Sequence, residues 1–261
     1  MKWNRMSIWL ALAWVALAAG CGKKQEAVKY LVLGTSAEFP PFVSKADAGE
    51  SAGEIVGFDI EIAMAIADQA GLPLRIENLE FNDLLPALAA GKVDLVMAAM
   101  PITEARRRMA NFSTPYYNAT PVAAIVAGGP VPETKDELKG MKIGAQIGTT
   151  DLEIAEELAG AEAAQAFPTA GEAVAALMAN QVECVILDDQ LVPRFAARNE
   201  LLMRLGVPFE PETYGVAVQK GNAELLAKVN ETLAAIAADG RYERWLDQWL
   251  VGPAPAAEQP D

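Results

Sequence analysis

Arg106 lies within Asp94–Tyr117, DLVMAAMPITEARRRMANFSTPYY: an apolar run, a stop at Pro101, a short arginine-bearing helix and a Pro-aromatic exit. A strand that passes through small residues into a helix N-terminus presents free backbone N–H groups at a crevice, where a carboxylate or phosphate can bind. A guanidinium in that first turn adds a planar fork matched to a carboxylate. The chemistry indicated is capture of a small anion or zwitterion. Taken alone, Arg106-Arg107-Arg108 reads as a solvated face, as most such runs are.

Other segments could complete such a site. Ala98, Ala99, Met100 and Pro101 form the loop before the Arg106 helix, and Gly148-Thr149-Thr150 stands at the mouth of a helix starting near Asp151. Both are strand–loop–helix junctions. Neither carries Gly-Lys-Ser/Thr, so neither is a phosphate loop. Asp188 and Asp189 close the run Val182–Leu187. A carboxylate at that end of a strand can accept from an ammonium, or cap the next segment. Phe39-Pro40-Pro41-Phe42 holds an aromatic at the exit of the first strand. Phe81 opens a helix at the same edge. The two rings could flank a ligand's apolar part or belong to the core.

The elements that must position these residues alternate along the chain. Strands are expected at Tyr30–Gly34, Leu74–Leu79 and Val93–Met97, with helices at Phe58–Ala70 (ended by Gly71) and Phe81–Ala90 between them. The pattern restarts near Tyr117. Strands follow at Val122–Val126, Met141–Gln146, Val182–Leu187 and Gly215–Gln219, and helices at Thr150–Leu158, Gly171–Ala179, Ala223–Ala238 and Arg241–Leu250. Thr134 with Glu137, Thr150 with Glu153, and Thr169 with Glu172 read as capping boxes. Trp245 and Trp249, one helical turn apart, read as core packing. The expectation is two α/β lobes, each a mainly parallel sheet with helices on both faces, meeting at a cleft at the carboxyl ends of strands.

Composition narrows the function. The 261 residues contain 21 basic and 35 acidic side chains, a net charge of −14. Such a surface disfavours nucleic acid and anionic membranes. The chain has no histidine, which excludes Ser–His–Asp and Cys–His catalysis and most transition-metal sites. No cofactor and no metal is expected. Of the two cysteines, Cys184 lies in a strand-like run and reads as a core thiol.

The N-terminus reads as a targeting segment. Lys2 and Arg5 precede an apolar run from Met6 to Ala19, followed by Gly20-Cys21. The run is short for a bilayer-spanning helix, which needs roughly 20 residues. It is similar to a bacterial lipoprotein signal, which implies cleavage after residue 20, lipidation of Cys21 with acyl chains such as palmitate, and a tether over 21–28. The one departure is Ala18 where that pattern usually has leucine. The Pro/Ala-rich residues 251–261 have the composition of a disordered tail.

Gly34-Thr35-Ser36-Ala37-Glu38-Phe39-Pro40-Pro41-Phe42, Val56-Gly57-Phe58-Asp59-Ile60, Phe81–Leu88, Gly91-Lys92-Val93-Asp94, the Arg106 stretch and Gly240-Arg241-Tyr242 together resemble the family 3 bacterial extracellular solute-binding proteins, the amino-acid-capturing subunits of ABC importers. The likeness runs from about Leu31 to Leu250. It implies a periplasmic-binding-protein-like type II fold: lobe 1 from 29–117 plus 215–250, lobe 2 from 122–210, and hinge crossings at 118–121 and 211–214. It also implies partners in an ABC permease and its ATPase, and an extracytoplasmic, membrane-anchored location. By this resemblance Arg106 clamps an α-carboxylate with help from Thr149 and Thr150, Asp188 takes the α-ammonium, and Phe39 and Phe81 flank the side chain.

Two departures bear on the ligand. Ser36 stands where basic-amino-acid binders of the family carry an aspartate. Ala98, Ala99 and Pro101 replace a Ser/Thr-rich stretch, and Pro101 offers neither hydroxyl nor N–H. These changes point to a neutral amino acid, or to a ligand without a standard α-ammonium. The rival classes are a dehydratase-like enzyme on the same fold and a ligand-sensing lobe. The first lacks a histidine and an evident glutamate at a strand end; the second lacks an attached signalling region.

Overall fold

The computed structural model describes residues 28–46 and 52–251. The expected signal peptide, Cys21 with most of its tether, and residues 252–261 lie outside this range.

The chain folds into two five-stranded sheets with helices packed against them. The first has the order Leu74–Asn78, Leu31–Thr35, Leu95–Val96, Ala217–Gln219, Ala110–Phe112. The second has the order Ala164–Phe167, Ile143–Gln146, Cys184–Asp188, Pro121–Val126, Leu202–Arg204. Between them Tyr117–Ala119 and Glu212–Tyr214 pair antiparallel as a two-stranded ribbon. A small antiparallel sheet, Glu38–Phe39, Val43–Lys45 and Ile55–Val56, hangs from the exit of the first strand.

The sheets are mixed rather than mainly parallel. Three strands of each run parallel, and the other two join through antiparallel pairs. The reason is the route of the chain. Pro121–Val126 enters the second sheet directly from the ribbon, and Ala217–Gln219 re-enters the first sheet from it. Neither arrives through a helical crossover, the connection a parallel neighbour requires.

Each sheet buries apolar side chains on both faces. Leu33, Leu95 and Val218 pack under Phe58, Ile62 and Ile66 on one side of the first sheet, and Val96 and Ala217 under Leu84 and Leu88 on the other. In the second sheet Val185 and Leu187 face Val174 and Leu177, while Ile143 and Ile186 face Ala155 and Leu158. Trp245 and Trp249 pack against the first core. Cys184 is a buried free thiol, and burial pushes it up to about 12.

Local details refine the expected elements. The helix Phe58–Ala70 begins at Gly57, φ 138°, where a Cβ would stand 2.2 Å from the Phe42 carbonyl oxygen; only glycine fits. Phe81–Ala90 divides into a 3₁₀ turn, Phe81–Asp83, and a helix, Leu84–Ala89. Pro86 has no N–H to give the Asn82 carbonyl, which favours the tighter first turn. The last helix is α-helical over Arg241–Leu246 and π-helical over Asp247–Val251. Of the expected caps, Thr169 accepts from Glu172 N. The cap of Thr150–Ala159 is Thr149 rather than Thr150, and the Thr134 side chain makes no cap bond.

Candidate functional site

The carboxyl ends of both sheets face a narrow cavity beside the ribbon. The first lobe contributes Phe39, Phe81, Ala98, Ala99 and Pro101, the second Pro121, Gln146, Thr149, Thr150, Asp151 and Asp188, and the returning crossing Glu212 and Tyr214. The structure thus brings together Phe39, Phe81, Ala98, Ala99, Pro101, Thr149, Thr150 and Asp188. Arg106 lies at the cavity edge. Ser36 is buried, 4 % exposed, and does not line the cavity.

Arg106 owes its place to a short helix. Thr103 accepts the Arg106 N–H at 3.1 Å and so caps the helix Glu104–Met109. One turn orients three successive arginines differently. Arg106 is buried, while Arg107 and Arg108 are exposed. The Arg106 guanidinium donates to the Pro101 carbonyl at 2.8 Å in its own lobe and to the Gly148 carbonyl at 3.0 Å in the other. It also lies over the Phe81 ring, 5.3 Å from the centroid. Burial lowers its pKa, and the charges of Glu212, Glu153 and Asp151 act against that.

Across the cavity, Asp188 ends the strand Cys184–Asp188 and is 4 % exposed. It accepts from Gln190 N at 2.8 Å and from the Tyr214 hydroxyl. The local turn bond and the cavity position therefore coexist. Burial raises its carboxyl well above the usual range, the Gln190 N–H opposes this, and the charges of Asp189 and Asp151 add to it. Thr149 and Thr150 sit at the start of their helix. Thr149 Oγ1 donates to the Gln146 carbonyl at 2.6 Å, and Thr150 Oγ1 donates to Glu212 at 2.9 Å.

The lining includes residues that the sequence reading did not single out. Asp151 stands in the first turn of its helix, where an acid ordinarily answers the helix dipole. Burial and the charge of Glu212 push its carboxyl up to about 7, against the pull of Arg106. Glu212 is raised mainly by burial. The position next to Thr150 was the only sequence signal for Asp151. Glu212 carried none, because its approach to Thr150 joins residues 62 apart.

The loop backbone is fixed from behind. Ala99 adopts φ 47°. Its N–H donates at 2.7 Å to Asp59, which is fully buried and also accepts from the Tyr116 hydroxyl at 2.8 Å. Tyr116 O in turn accepts from the Tyr242 hydroxyl at 2.7 Å. The Asp59 carboxyl thus ties a cavity-lining loop to the entry of the first crossing, and the Tyr116 backbone carbonyl ties that entry to the C-terminal helix.

This arrangement offers a guanidinium and a carboxyl on facing lobes, helix-terminal donors and two aromatic rings. It suits a small zwitterion. Among the described residues no cluster of acidic or cysteine side chains could hold a metal ion. Comparison with known proteins agrees with that chemistry. Residues 31–252 match the bacterial extracellular solute-binding proteins, family 3. The ABC transporter arginine-binding protein 1 of Escherichia coli (strain K12) is 32 % identical over 247 residues, covering 92 % of this chain and 98 % of its own. An ancestral arginine-binding protein, solved bound to arginine and separately to glutamine, is 35 % identical in both structures, with TM-scores of 0.77 and 0.78. Those alignments cover 84 % and 85 % of this chain and 97 % and 98 % of the other. An ancestral amino-acid-binding protein described as a precursor of cyclohexadienyl dehydratase is 28 % identical, TM-score 0.76, covering 85 % of this chain and 95 % of the other. The chain therefore belongs to the bacterial extracellular solute-binding proteins, family 3, and has their type II fold of two α/β lobes joined by two crossing strands.

Proposed function

We propose that this chain captures an amino acid by hinged closure of its lobes and hands it to the permease of an ABC importer. The observation that carries the reading is a buried Arg106 against the Phe81 ring of the cavity lining and a buried Asp188 within that lining. A zwitterion in a closing, drying cleft needs one cationic and one anionic partner, because an unpaired buried charge is strongly unfavourable. Arg106 takes the α-carboxylate with Thr149 and Thr150, and Asp188 takes the α-ammonium. Phe39 and Phe81 flank the side chain, and Ala98, Ala99 and Pro101 form the floor. Lobe 1 comprises 29–117 plus 215–250 and lobe 2 comprises 122–210, with bending at 118–121 and 211–214. Cys21 carries the lipid that holds the protein at the outer side of a membrane. The site binds without turning over its ligand. The relatives compared above are named as binding proteins, which supports this reading.

The ligand side chain has two readings, each with its own observation. The hydroxyl-poor floor supports a neutral one. The acids Asp151 and Glu212 support a cationic one, developed below. Mass spectrometry of small molecules released from gently purified protein tests the proposal, with calorimetry of an L-amino-acid panel. One tightly bound amino acid is expected, and its affinity should drop in Asp188→Asn. An unchanged affinity in that variant would remove the ammonium role of Asp188. No heat from any amino acid would remove the proposal.

A further inference from the structure

We infer that Asp151 and Glu212 form a second acidic pole in the cleft and select a ligand with a cationic side chain. The inference rests on reading the cavity as an amino-acid site. It starts from charge: three carboxyl groups, Asp151, Asp188 and Glu212, line the cavity, and Arg106 at its edge is the one cationic side chain beside them among the described residues. A zwitterion with a neutral side chain pairs its carboxylate with Arg106 and its ammonium with Asp188. That leaves Asp151 and Glu212 sharing the cavity, close enough that the charge of Glu212 raises the Asp151 carboxyl, while Arg106, the cation that acts on both, is taken by the ligand's carboxylate. A side-chain ammonium or guanidinium supplies a positive partner for them.

The ordinary role of each acid does not use up its carboxylate. Asp151 in a helix first turn interacts with the dipole, yet its carboxylate makes no hydrogen bond among the described residues while it faces the cavity. Glu212 accepts from Thr150 Oγ1 at 2.9 Å, and a carboxylate has further lone pairs to offer. Ser36, buried away from the cavity, leaves the first-lobe wall without an acid. The acids lie instead on the second lobe and the crossing strand, so a cationic side chain points toward them. Phe39 and Phe81 lie in the same cavity, where aromatic faces favour a cation and cover its alkyl stem.

The test compares L-lysine with L-norleucine, which has the same stem without the ammonium, and L-arginine with L-glutamine. Calorimetry uses the full chain after any co-purified ligand has been removed. The wild type is expected to prefer a cationic member over its neutral counterpart by at least about tenfold. Asp151→Asn and Glu212→Gln should each cut that preference by about fivefold or more. The loss should be larger for L-lysine than for L-norleucine in each variant, with melting temperatures recorded alongside. Equal or better binding of the neutral members overturns the inference and leaves the amino-acid reading standing. A cationic preference that survives both substitutions overturns the assignment to these residues. Failure of all four compounds to bind overturns the inference, and silence across the whole L-amino-acid panel overturns the amino-acid reading itself.

Discussion

Replacing Arg106 separates the value of its charge from the value of its shape. The guanidinium has five N–H donors. One goes to the Pro101 carbonyl at 2.8 Å and one crosses to the Gly148 carbonyl at 3.0 Å, which leaves three for a ligand. The group is 8 % exposed, so a carboxylate that meets it is largely desolvated. Arg106→Ala removes the cationic partner of that carboxylate and orphans two carbonyls. Breaking a buried pair in this way costs about 3–5 kcal/mol, or about 10²- to 10⁴-fold in Kd. Arg106→Lys keeps the charge on a group with three donors and no planar fork, so it cannot hold both carbonyls and offer paired donors to a ligand. The expected loss is about 1.5–3 kcal/mol, roughly ten- to a hundredfold. Calorimetry with the amino acid found on the purified protein measures both variants. Thermal denaturation without ligand isolates the part due to the bond within the first lobe. If Arg106→Ala binds within about threefold of wild type, the carboxylate does not sit on Arg106 and the clamp is wrong.

Two further substitutions address closure and the support behind the cavity. Gly148 has φ 78°, and a Cβ there would stand 2.8 Å from Asn82 Oδ1 in the facing lobe. Gly148→Ala combines backbone strain of about 1–3 kcal/mol with a wedge between the lobes; the ligand Kd should rise at least about tenfold, and an unchanged Kd would show that the lobes need not meet at Gly148. Asp59 has its carboxyl pushed up to about 7, chiefly by burial and against its bonds from Ala99 and Tyr116. Because this folded-state value lies above the ordinary carboxylate value of 3.8, its contribution is fully present below that value and is lost as pH rises through about 7. Asp59→Asn should therefore remove about 1.4 kcal/mol per pH unit from the fall in stability between pH 5 and 7, as read by denaturant unfolding at several pH values; an identical slope would mean that Asp59 titrates normally.

The helices with strong local signals were legible in the sequence. Phe58–Ala70 lies between Gly57 and Gly71, and Ala223–Ala238 carries a long apolar period. Their bounds follow from local chemistry, as do the short strands between glycine and proline breaks. The strand directions were not legible. Alternating strands and helices suggest parallel pairing, but the direction of a strand depends on where the chain enters a sheet, and here two of those entries come from the ribbon.

The same division holds within the cleft. The sequence by itself pointed to capture of a small anion or zwitterion: an arginine at a capped helix start, small-residue loops and an acid at a strand end are local patterns with local causes. Tertiary structure alone decided which of three successive arginines is buried, because one helical turn places only Arg106 against Phe81 and the Gly148 carbonyl. It also decided that Ser36 is buried outside the cavity lining, and that Asp151 and Glu212 share the cavity with Asp188. The contact of Arg106 with the Gly148 carbonyl arises only where the two lobes meet. Electrostatic energy depends on distances through space and on burial, and residues far apart along the chain give no sequence sign of either.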